Sequence, residues 1–511
     1  MRNLIVCCDG TWNTANQEYN GVPSPTNVAR LYNAAAEQCE NGIEQKKYYH
    51  PGVGVERKWF KKIVGGIVGA GLGKNIKSAY KWLGVTYKPG DMIFLFGFSR
   101  GAYTVRCLAG MISQCGLFAL SNLSNNECWK RVNIAYKKGY KGSIKQTGRK
   151  AWAGDWEFHH TEKGDEVGIF FLGVWDTVGA LGIPNDLAIL NLFDRGKYRF
   201  HDARLSDRVM HARHAVAIDE LRASFAPTLW RDDKRKPLTI IGGEQTVKQI
   251  WFPGAHSDVG GGYSEKGLSD GALQWMMDEA LAAGLAFRKN MYDQVKPDYQ
   301  DALHNSLTGL FKHLKTQPRN IPLISPTSNN EVHRSVLDRQ LNPPITQNSY
   351  RQTLTLKVGN RVMLPIYAIE HWNITSIYLE AGVLYQFTAK GQWLDGNIKS
   401  GPEGTKYYVF LLWSFFGKLK ILFRKITKNK EADFIGTKRE ENLPWLSLVG
   451  VVANGGNPGI DGTPSRHEIF AIKDGCKYTP KKSGYLYCFA NDAWCSYDNN
   501  RGSVMLTIQR L

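Results

Sequence analysis

The sequence predicts an α/β fold with a mainly parallel sheet, followed by an all-β sandwich domain. Up to about residue 286, short apolar runs alternate with segments of helical periodicity, which is the pattern of strands and helices around a parallel sheet. From residue 352 onward, apolar and polar residues alternate between glycine and asparagine turns, which is typical of an antiparallel sandwich. A chain of 511 residues is also too long for one ordinary core, so two domains are expected.

In the first region the apolar runs predict strands, and the segments between them predict helices. Pro25 and Thr26 precede the first helix, and Ser269 with Asp270 offers a cap for the last. His211 and His214 fall three residues apart on one predicted helix, where they would pack or cover its surface. The predicted strands are 4–8, 47–49, 92–96, 167–174 and 249–252, and the predicted helices are 27–38, 75–87, 101–114, 205–217 and 270–283.

Three parts are expected along the chain. Residues 1–290 form the α/β domain, residues 291–350 a connector draped over it, and residues 351–511 the sandwich. Five prolines between 318 and 344, with little periodicity around them, indicate the connector. An apolar and basic insertion is expected near 409–430 in the sandwich.

Composition restricts the kind of protein. Apolar residues make up 43% and charged residues 22%, as in a globular protein. The nine cysteines include no CxxC pair, which argues against a disulfide framework and a zinc site. The chain shows no signal peptide and no run of about 18 to 20 apolar residues, so we expect a soluble or peripheral protein. The net charge of +19 would attract nucleic acid or anionic phospholipid, but no nucleic-acid motif is recognisable.

The motif GFSRG at 97–101 is the most informative feature of the chain. It stands between a predicted strand and a predicted helix, which is the setting of a nucleophile elbow. Glycines on both sides of Ser99 allow a strained backbone and a close approach of helix and strand. Ser99 is therefore the predicted nucleophile.

A serine nucleophile needs a histidine base and a carboxylate that orients it. Asp176 follows the strand 167–174 and is the predicted acid, and His256 follows the strand 249–252 in a glycine-rich loop and is the predicted base. An aspartate after a strand is also a common turn residue. Asp258 is a rival acid, but it lies only two residues from the base, and we expect it to order the glycine loop instead. No cofactor is required for this chemistry.

The oxyanion hole of such a site uses two backbone amides. Arg100, the residue after the nucleophile, supplies the first. The loop Asp9, Gly10 and Thr11 at the end of the first strand is the candidate for the second, since Gly10 allows the backbone to approach the acyl oxygen. The alternative is that Asp9 caps this turn.

Five motifs together resemble the bacterial α/β hydrolases that include type VI secretion phospholipase effectors of the first lipase-effector family. The resemblance covers about residues 1 to 290. It implies an α/β-hydrolase-like fold, a triad of Ser99, Asp176 and His256, and phospholipase A activity on membrane glycerophospholipids. The motifs are DGTWN at 9–13, GFSRGAY at 97–103, WDTVG at 175–179, RHA at 213–215 with DE at 219–220, and PGAHSDVGGGY at 253–263.

The same resemblance implies partners and a location. Membrane phospholipids would be the substrate, and a secretion-apparatus spike protein and an immunity protein would be partners. The protein would be made in the bacterial cytoplasm, leave by the type VI system and act at the membrane or periplasm of a target cell as an antibacterial toxin.

Two apolar segments are candidates for lipid contact. The first, at 59–74, is rich in glycine and flanked by lysines, and it includes Ile67 and Leu72. It is either a lid or a helix packed into the protein. The second, at 409–430, begins aromatic with Trp413, Phe415 and Phe416 and ends basic, which favours an interfacial segment over a docked helix or a strand with a basic loop.

The end of the chain, at 484–504, resembles calcium-dependent galactose-binding bacterial lectins, as does the strand at 445–450. The resemblance covers roughly residues 350 to 511. It implies calcium held by oxygen ligands from Asp492, Ser496, Asn499 and Asn500, with Ser496 in place of the usual threonine. The alternative is that these residues make the turn before the last strand.

Two other functions remain open at this point. One is a lectin-like protein that binds a glycan or glycolipid on a hydrolase scaffold, and the other is a carboxylesterase of another substrate class. The complete order of serine, aspartate and histidine disfavours the binding protein.

Overall fold

The computed structural model describes residues 1–10, 13, 17–52, 68–142, 150–178, 205–231, 245–308, 315–326, 331–405, 437–455 and 465–511. Its strands are β1 Asn3–Cys8, β2 Glu18–Tyr19, β3 Val22–Pro23, β4 Gln45–His50, β5 Met92–Phe98, β6 Ile169–Trp175, β7 Val209–Ala217, β8 Thr246–Phe252, β9 Arg361–Tyr367, β10 Asn373–Leu379, β11 Tyr385–Asp395, β12 Ile398–Ser400, β13 Leu448–Ala453, β14 Glu468–Ala471, β15 Gly475–Tyr478, β16 Gly484–Ala490 and β17 Asn500–Arg510.

The helices lie mostly in the first half of the chain. A π-helical turn, Ala135–Tyr140, follows the fourth of them directly. The α-helices are α1 Asn27–Ala34, α2 Val68–Thr86, α3 Arg100–Cys115, α4 Asn125–Ile134, α5 Lys150–Ala153, α6 His256–Gly260, α7 Gly267–Ala282, α8 Lys289–Tyr292 and α9 Arg334–Leu341.

The first region is built on a six-stranded sheet in the order β4-β1-β5-β6-β7-β8, and every pair in it is parallel. Leu4 and Val6 of β1 pack into one apolar cluster, while Ile5 and Cys7 pack into another. Because successive side chains of a strand alternate between faces, both faces of this sheet are buried. The predicted α/β class is confirmed.

The strand order places the functional edge of the sheet. The chain runs from β1 outward to β4 and then returns to β5 on the other side of β1. In parallel α/β sheets such a reversal opens a crevice at the carboxyl ends of the two strands. Asp9 follows β1 and Ser99 follows β5 at this point.

The second region contains two antiparallel sheets. One has the order β10-β16-β13-β14, and the other has the order β12-β11-β17-β9 with β15 beside β11. Phe387 and Trp393 from one sheet share a buried cluster with Leu448 and Leu486 from the other. Two sheets that pack their inner faces together form a sandwich, as the sequence predicted.

The two regions share an apolar interface. Val216 and Trp251 of the parallel sheet lie in one buried cluster with Tyr487 and Phe489 of the sandwich. Ile324, from the segment between the two regions, belongs to the same cluster. The predicted connector therefore packs between the regions, and it contains α9; the boundaries at 290 and 350 stay predictions.

One predicted element is wrong. Residues 209–217 form strand β7 instead of the helix predicted for 205–217. The strand hydrogen-bonds to β6 on one side and β8 on the other, and this tertiary pairing outweighs the helical propensity of its alanine and arginine residues. His211 and His214 consequently face opposite sides of a sheet, where they lie beside Thr246 and Thr177 respectively.

Candidate active site

Ser99 occupies a sharp turn between β5 and α3. Its backbone has φ 57° and ψ −121°, a strained combination for a residue with a side chain. A Cβ at Gly97 would lie 2.5 Å from the carbonyl oxygen of Gly101, and one at Gly101 would overlap the carbonyl oxygens of Cys8 and Asp9. Both glycines of the motif are therefore required by the close approach of β1, β5 and α3.

Strand pairing places Ser99 beside Asp176, and a ring contact of the preceding residue, Phe98, places it near His256. The amide of Ser99 donates to the carbonyl of Trp175, the residue before Asp176, at 3.1 Å. The ring of Phe98 lies 4.6 Å from the ring of His256, measured between centroids. The Ser99 side chain makes no capping hydrogen bond to α3. The Ser99 hydroxyl is therefore not used to cap α3.

Asp176 and His256 are in direct contact. His256 Nδ1 lies 2.5 Å from Asp176 Oδ2, and both side chains are buried. Asp176 has φ 36°, so its backbone is also held in the left-handed region. With Nδ1 bonded to the carboxylate, the Nε2 atom of His256 is the ring nitrogen left for a proton from the substrate side.

Arg319 is a member of this cluster that the sequence did not indicate. Its guanidinium forms a bidentate pair with Asp176, with Nη1 2.6 Å from Oδ1 and Nη2 2.9 Å from Oδ2. The amide of Ala217 also donates to Oδ1, at 3.0 Å. Arg319 lies 143 residues from Asp176 in a segment without periodicity, and no local pattern could have found it.

These contacts set the charge of the pair. Burial alone would raise the pKa of Asp176, but the Arg319 guanidinium and the bond from His256 outweigh it and hold that pKa far below its ordinary range. Burial lowers the pKa of His256 and prevails over the opposing effect of Asp176. At neutral pH the arrangement is an ionised aspartate beside a neutral histidine, which is the state a general base requires.

Glu220 holds the backbone of His256. Its Oε2 accepts from the His256 amide at 3.3 Å, and its two oxygens also receive the Arg222 guanidinium at 2.7 and 2.8 Å. Phe225 packs edge-on against the His256 ring, with centroids 4.9 Å apart. Glu220 belongs to the motif at 219–220, for which no role was predicted.

The Asp258 carboxylate makes its hydrogen bonds away from Asp176 and His256. Its Oδ2 accepts from the Ala255 amide at 2.9 Å, and its Oδ1 lies 2.6 Å from His304 Nδ1. The carboxylate thus fixes the loop just before His256. Tyr263 stacks on His304 at 3.8 Å and closes this side of the loop.

The Asp9 loop lies against the elbow. A Cβ on Gly10 would be 3.3 Å from the Cβ of Ser99. The Gly10 amide already donates to Asp9 Oδ1 at 2.7 Å, while Thr26 and Tyr49 donate to Asp9 Oδ2. Asp9 therefore orders the turn. Thr11 lies outside the described residues, and Arg100 is the first residue of α3.

The lipid-contact candidates fall in different places. Leu72 lies in α2, half-buried against an apolar cluster, which favours the packed-helix interpretation at this end of its segment. Ile67, Trp413, Phe415 and Phe416 lie outside the described residues. Among the helices that the structure describes, none combines the length and apolar character needed to cross a membrane.

The predicted calcium ligands lie around the turn between β16 and β17. Asp492 and Asn500 are buried, and Asn500 Nδ2 donates to Asp492 Oδ2 at 2.9 Å. Asn499 donates to Asp395 Oδ1 at 2.6 Å, which adds a carboxylate from the end of β11 that the sequence did not indicate. Ser496 sits in the turn, where its amide donates to Ala493.

Residues 2–279 match the sequence profile of the catalytic domain of Tle1-like phospholipase effectors of the type VI secretion system. This match spans more than half of the chain and contains Ser99, Asp176 and His256. The chain belongs to the Tle1-like phospholipase effector family. The resemblance inferred from the motifs is confirmed, and Arg319 lies beyond the matched Tle1-like region.

Other relatives cover only part of the chain. An uncharacterised protein from Saccharomyces cerevisiae is 32% identical over an alignment of 247 residues. The alignment covers 44% of this chain, and the chain spans about a third of the length of that protein. An uncharacterised Pseudomonas aeruginosa structure is 20% identical and covers 58% of this chain and 49% of its own, with a TM-score of 0.35.

Two further solved structures show similarity. A Tle1 effector bound to the VgrG spike is 18% identical over 52% of this chain and 51% of its own, with a TM-score of 0.28. A PllA-like lectin domain is 16% identical over 30% of this chain and 98% of its own, with a TM-score of 0.20. Because all three TM-scores are below 0.5, the Tle1-like assignment rests on the sequence match.

Proposed function

We propose that this chain is a phospholipase A type serine hydrolase in which Ser99, His256 and Asp176 form the catalytic triad. The observation that carries the proposal is the 2.5 Å bond between His256 Nδ1 and Asp176 Oδ2, beside a strained serine at the carboxyl edge of the sheet. Its membership of the Tle1-like family supports the same chemistry.

The proposed reaction has two halves. Ser99 Oγ attacks the carbonyl carbon of an acyl ester while His256 Nε2 takes the hydroxyl proton, and Asp176 stabilises the resulting imidazolium. The ester bond breaks, the leaving lysophospholipid oxygen receives that proton, and the acyl group remains on Ser99. Water, deprotonated by His256, then releases the fatty acid and restores the serine.

The oxyanion of each tetrahedral intermediate needs donors that are aimed at it in advance. We propose the Arg100 amide as one donor. Because the Gly10 amide already donates to Asp9, the Thr11 amide is the donor we propose from the early loop.

The substrate and delivery are part of the same proposal. The net charge of +19 supports docking on anionic phospholipid, and the apolar segments that include Ile67 and Trp413 would reach the acyl chains. Family membership supports export by a type VI system to a target-cell membrane or periplasm, with a spike protein and an immunity protein as partners. The hydrolase proposal does not depend on the delivery proposal.

A second function is proposed for the sandwich, which is calcium-dependent binding of a galactose-type sugar. Asn500 Oδ1 is buried and has no partner among the described residues, and it lies near Asp492. Burial and the nearby Asp395 carboxylate raise the pKa of Asp492 to about 6. Two carboxylates and an unpaired amide oxygen are a donor set that suits a hard cation, and Ser496 and Asn499 would complete it.

Product analysis tests the hydrolase proposal. Vesicles of defined phosphatidylglycerol and phosphatidylethanolamine would be incubated with the wild type and with Ser99→Ala, and the lipids identified by mass spectrometry. We expect free fatty acid and lysophospholipid from the wild type and neither from Ser99→Ala. Release of a phosphorylated headgroup, or equal hydrolysis by both proteins, would contradict the proposal.

A further inference from the structure

The segment that carries Arg319 is fixed on one side by the loop after β7. The Ala223 amide donates to the Lys315 carbonyl at 3.2 Å, and the Gln317 amide donates to the Leu221 carbonyl at 2.7 Å. This loop also supplies Glu220, which holds the His256 backbone. The segment is thus aligned with the loop nearest the catalytic pair.

The sandwich fixes the same segment on its other side. Trp372 Nε1 donates to Thr316 Oγ1 at 2.9 Å, and His467 Nε2 lies 2.8 Å from the Pro318 carbonyl oxygen. His467 Nδ1 accepts from the Gly455 amide at 2.8 Å, so a neutral ring carries its hydrogen on Nε2 and donates to Pro318. Burial lowers the pKa of His467 to about 4, which keeps the ring neutral at pH 7.

Arg319 extends from the segment that the loop after β7 and the sandwich hold in place, and it reaches Asp176. Its side chain is 3% exposed. Besides the two bonds to Asp176, its Nη1 donates to the Ala217 carbonyl at 2.6 Å and its Nη2 to the Phe225 carbonyl at 2.7 Å. A planar guanidinium with four directed bonds fixes both the position and the charge of the carboxylate.

We propose that Arg319 is a positioning residue of the hydrolase, brought to Asp176 by a connector segment that the sandwich holds in place. The residue lies 40 positions beyond the end of the matched catalytic domain at residue 279. The proposal rests on the proposed function, and it adds that the region matched as the catalytic domain does not contain everything that orients the triad.

Removal of the Arg319 guanidinium should shift the pH–rate profile in a predictable direction. Without it, burial raises the pKa of Asp176, and the carboxylate takes up a proton at a higher pH than before. If Asp176 instead stays ionised, its unscreened charge raises the pKa of His256. Both changes move the acid limb of the rate profile to higher pH. A variant that only loses stability would lower the amplitude of the profile and leave its midpoint in place.

The test is the pH profile of kcat/KM for hydrolysis of a short-chain phosphatidylcholine by the full-length protein. We expect Arg319→Gln to be at least about tenfold slower at pH 7, with the acid midpoint about one pH unit higher. Arg319→Lys keeps the positive charge but not the planar guanidinium. Its rate and its acid midpoint should lie between those of the wild type and those of Arg319→Gln. The matched control is Arg339→Lys, a buried connector arginine that bonds to Tyr299 and Asp301. It should lower the melting temperature and keep the wild-type midpoint.

The outcomes separate the two proposals. If the wild type hydrolyses no ester, the proposed function fails. If the wild type is active and both Arg319 variants keep its acid midpoint, whatever their rate, the positioning role is overturned. His467→Gln tests the support from the sandwich: it should slow hydrolysis several-fold, and adding it to Arg319→Gln should cause little further loss. If the rate losses of the two substitutions were fully additive, His467 would not act through Arg319.

Discussion

Asp176 and Asp492 are both buried aspartates, one at the end of the parallel sheet and one in the sandwich, and their surroundings differ in one respect. Asp176 faces an internal cation, Arg319, and its pKa is held far below the ordinary range. Asp492 faces a second carboxylate, Asp395, and its pKa is raised to about 6. The Arg439 guanidinium acts on Asp492 in the opposite direction but does not outweigh burial and Asp395. The protein therefore compensates the charge of Asp176 fully and that of Asp492 only in part.

The difference separates the roles proposed for the two regions. A triad acid must be ionised before substrate arrives, so its countercharge belongs to the protein. A site that binds a cation must leave that countercharge to the ligand. We therefore expect substitution of Asp176 to affect ester hydrolysis, and substitution of Asp492 to affect the stabilisation by added calcium.

Substitution of the proposed triad acid gives the largest expected effect. Asp176→Asn should lower kcat for ester hydrolysis by about ten-thousand-fold, because an amide favours the wrong tautomer of His256 and cannot stabilise the imidazolium. Steady-state kinetics on a soluble ester would measure it. Asp338→Asn, which removes an exposed ion pair with Arg334, is the control and should be unchanged. A decrease in kcat of less than tenfold in Asp176→Asn would contradict the role of Asp176 as the acid of the triad.

The elbow of the catalytic region predicts the second effect. Gly101→Ala places a Cβ on the carbonyl oxygens of Cys8 and Asp9 and should cost about 2 to 3 kcal/mol in the free energy of unfolding. Gly271→Ala is the matched control in α7. Its Cβ would meet nothing within 4 Å, so this variant should be stabilised by about 0.5 to 1 kcal/mol. Urea titration of both variants measures the difference, and equal unfolding free energies would contradict the close packing at the elbow.

Calcium should stabilise the sandwich by an amount that depends on Asp492. At a free concentration one hundred times Kd, binding contributes about 2.7 kcal/mol. The folded protein holds the Asp492 proton up to about pH 6, above the ordinary pKa of 3.8, so calcium-free stability falls as pH rises between these values. The calcium effect should therefore be larger at pH 7.5 than at pH 5.

Thermal melts with calcium and with EDTA measure this effect. Asp492→Asn and Asp395→Asn should each reduce the calcium-dependent rise in melting temperature. An unchanged rise in both variants would place calcium elsewhere, and no rise in the wild type would leave the turn as a structural feature only.

The pH dependence of hydrolysis gives the smallest effect. His256 must be neutral to accept a proton, and its pKa lies below the ordinary value of 6.5. The rate should be constant from pH 7 to 8 and fall about tenfold per pH unit below the His256 pKa. An acid midpoint above pH 7 in the wild type would contradict a buried, neutral base.

Local patterns were sufficient for the parts of the fold and site that depend on neighbouring residues. Apolar runs between turns predicted β1, β5 and β8, and the glycines around Ser99 predicted the elbow. The strand β7 was misread because its alanine, arginine and histidine residues suit a helix, while its pairing with β6 and β8 is set by residues far away in sequence.

The remainder of each site depends on contacts between distant segments. Arg319 reaches Asp176 across 143 residues, and Asp395 reaches Asn499 across 104. Arg319 lies in a segment without periodicity, and the alternating pattern that ends at Asp395 predicts a strand but not which residue this carboxylate meets. In both sites the pKa of the aspartate depends on a residue distant in sequence, which is Arg319 for Asp176 and Asp395 for Asp492.

Covalent labelling tests the central claim most directly. The full-length protein would be treated with a fluorophosphonate at pH 7.5, and its peptides analysed by mass spectrometry. We predict one phosphonyl group, located on Ser99, with labelling lost in Ser99→Ala and strongly slowed in His256→Gln. Labelling of another residue, or phospholipid hydrolysis that persists while Ser99 remains unmodified, would contradict the account.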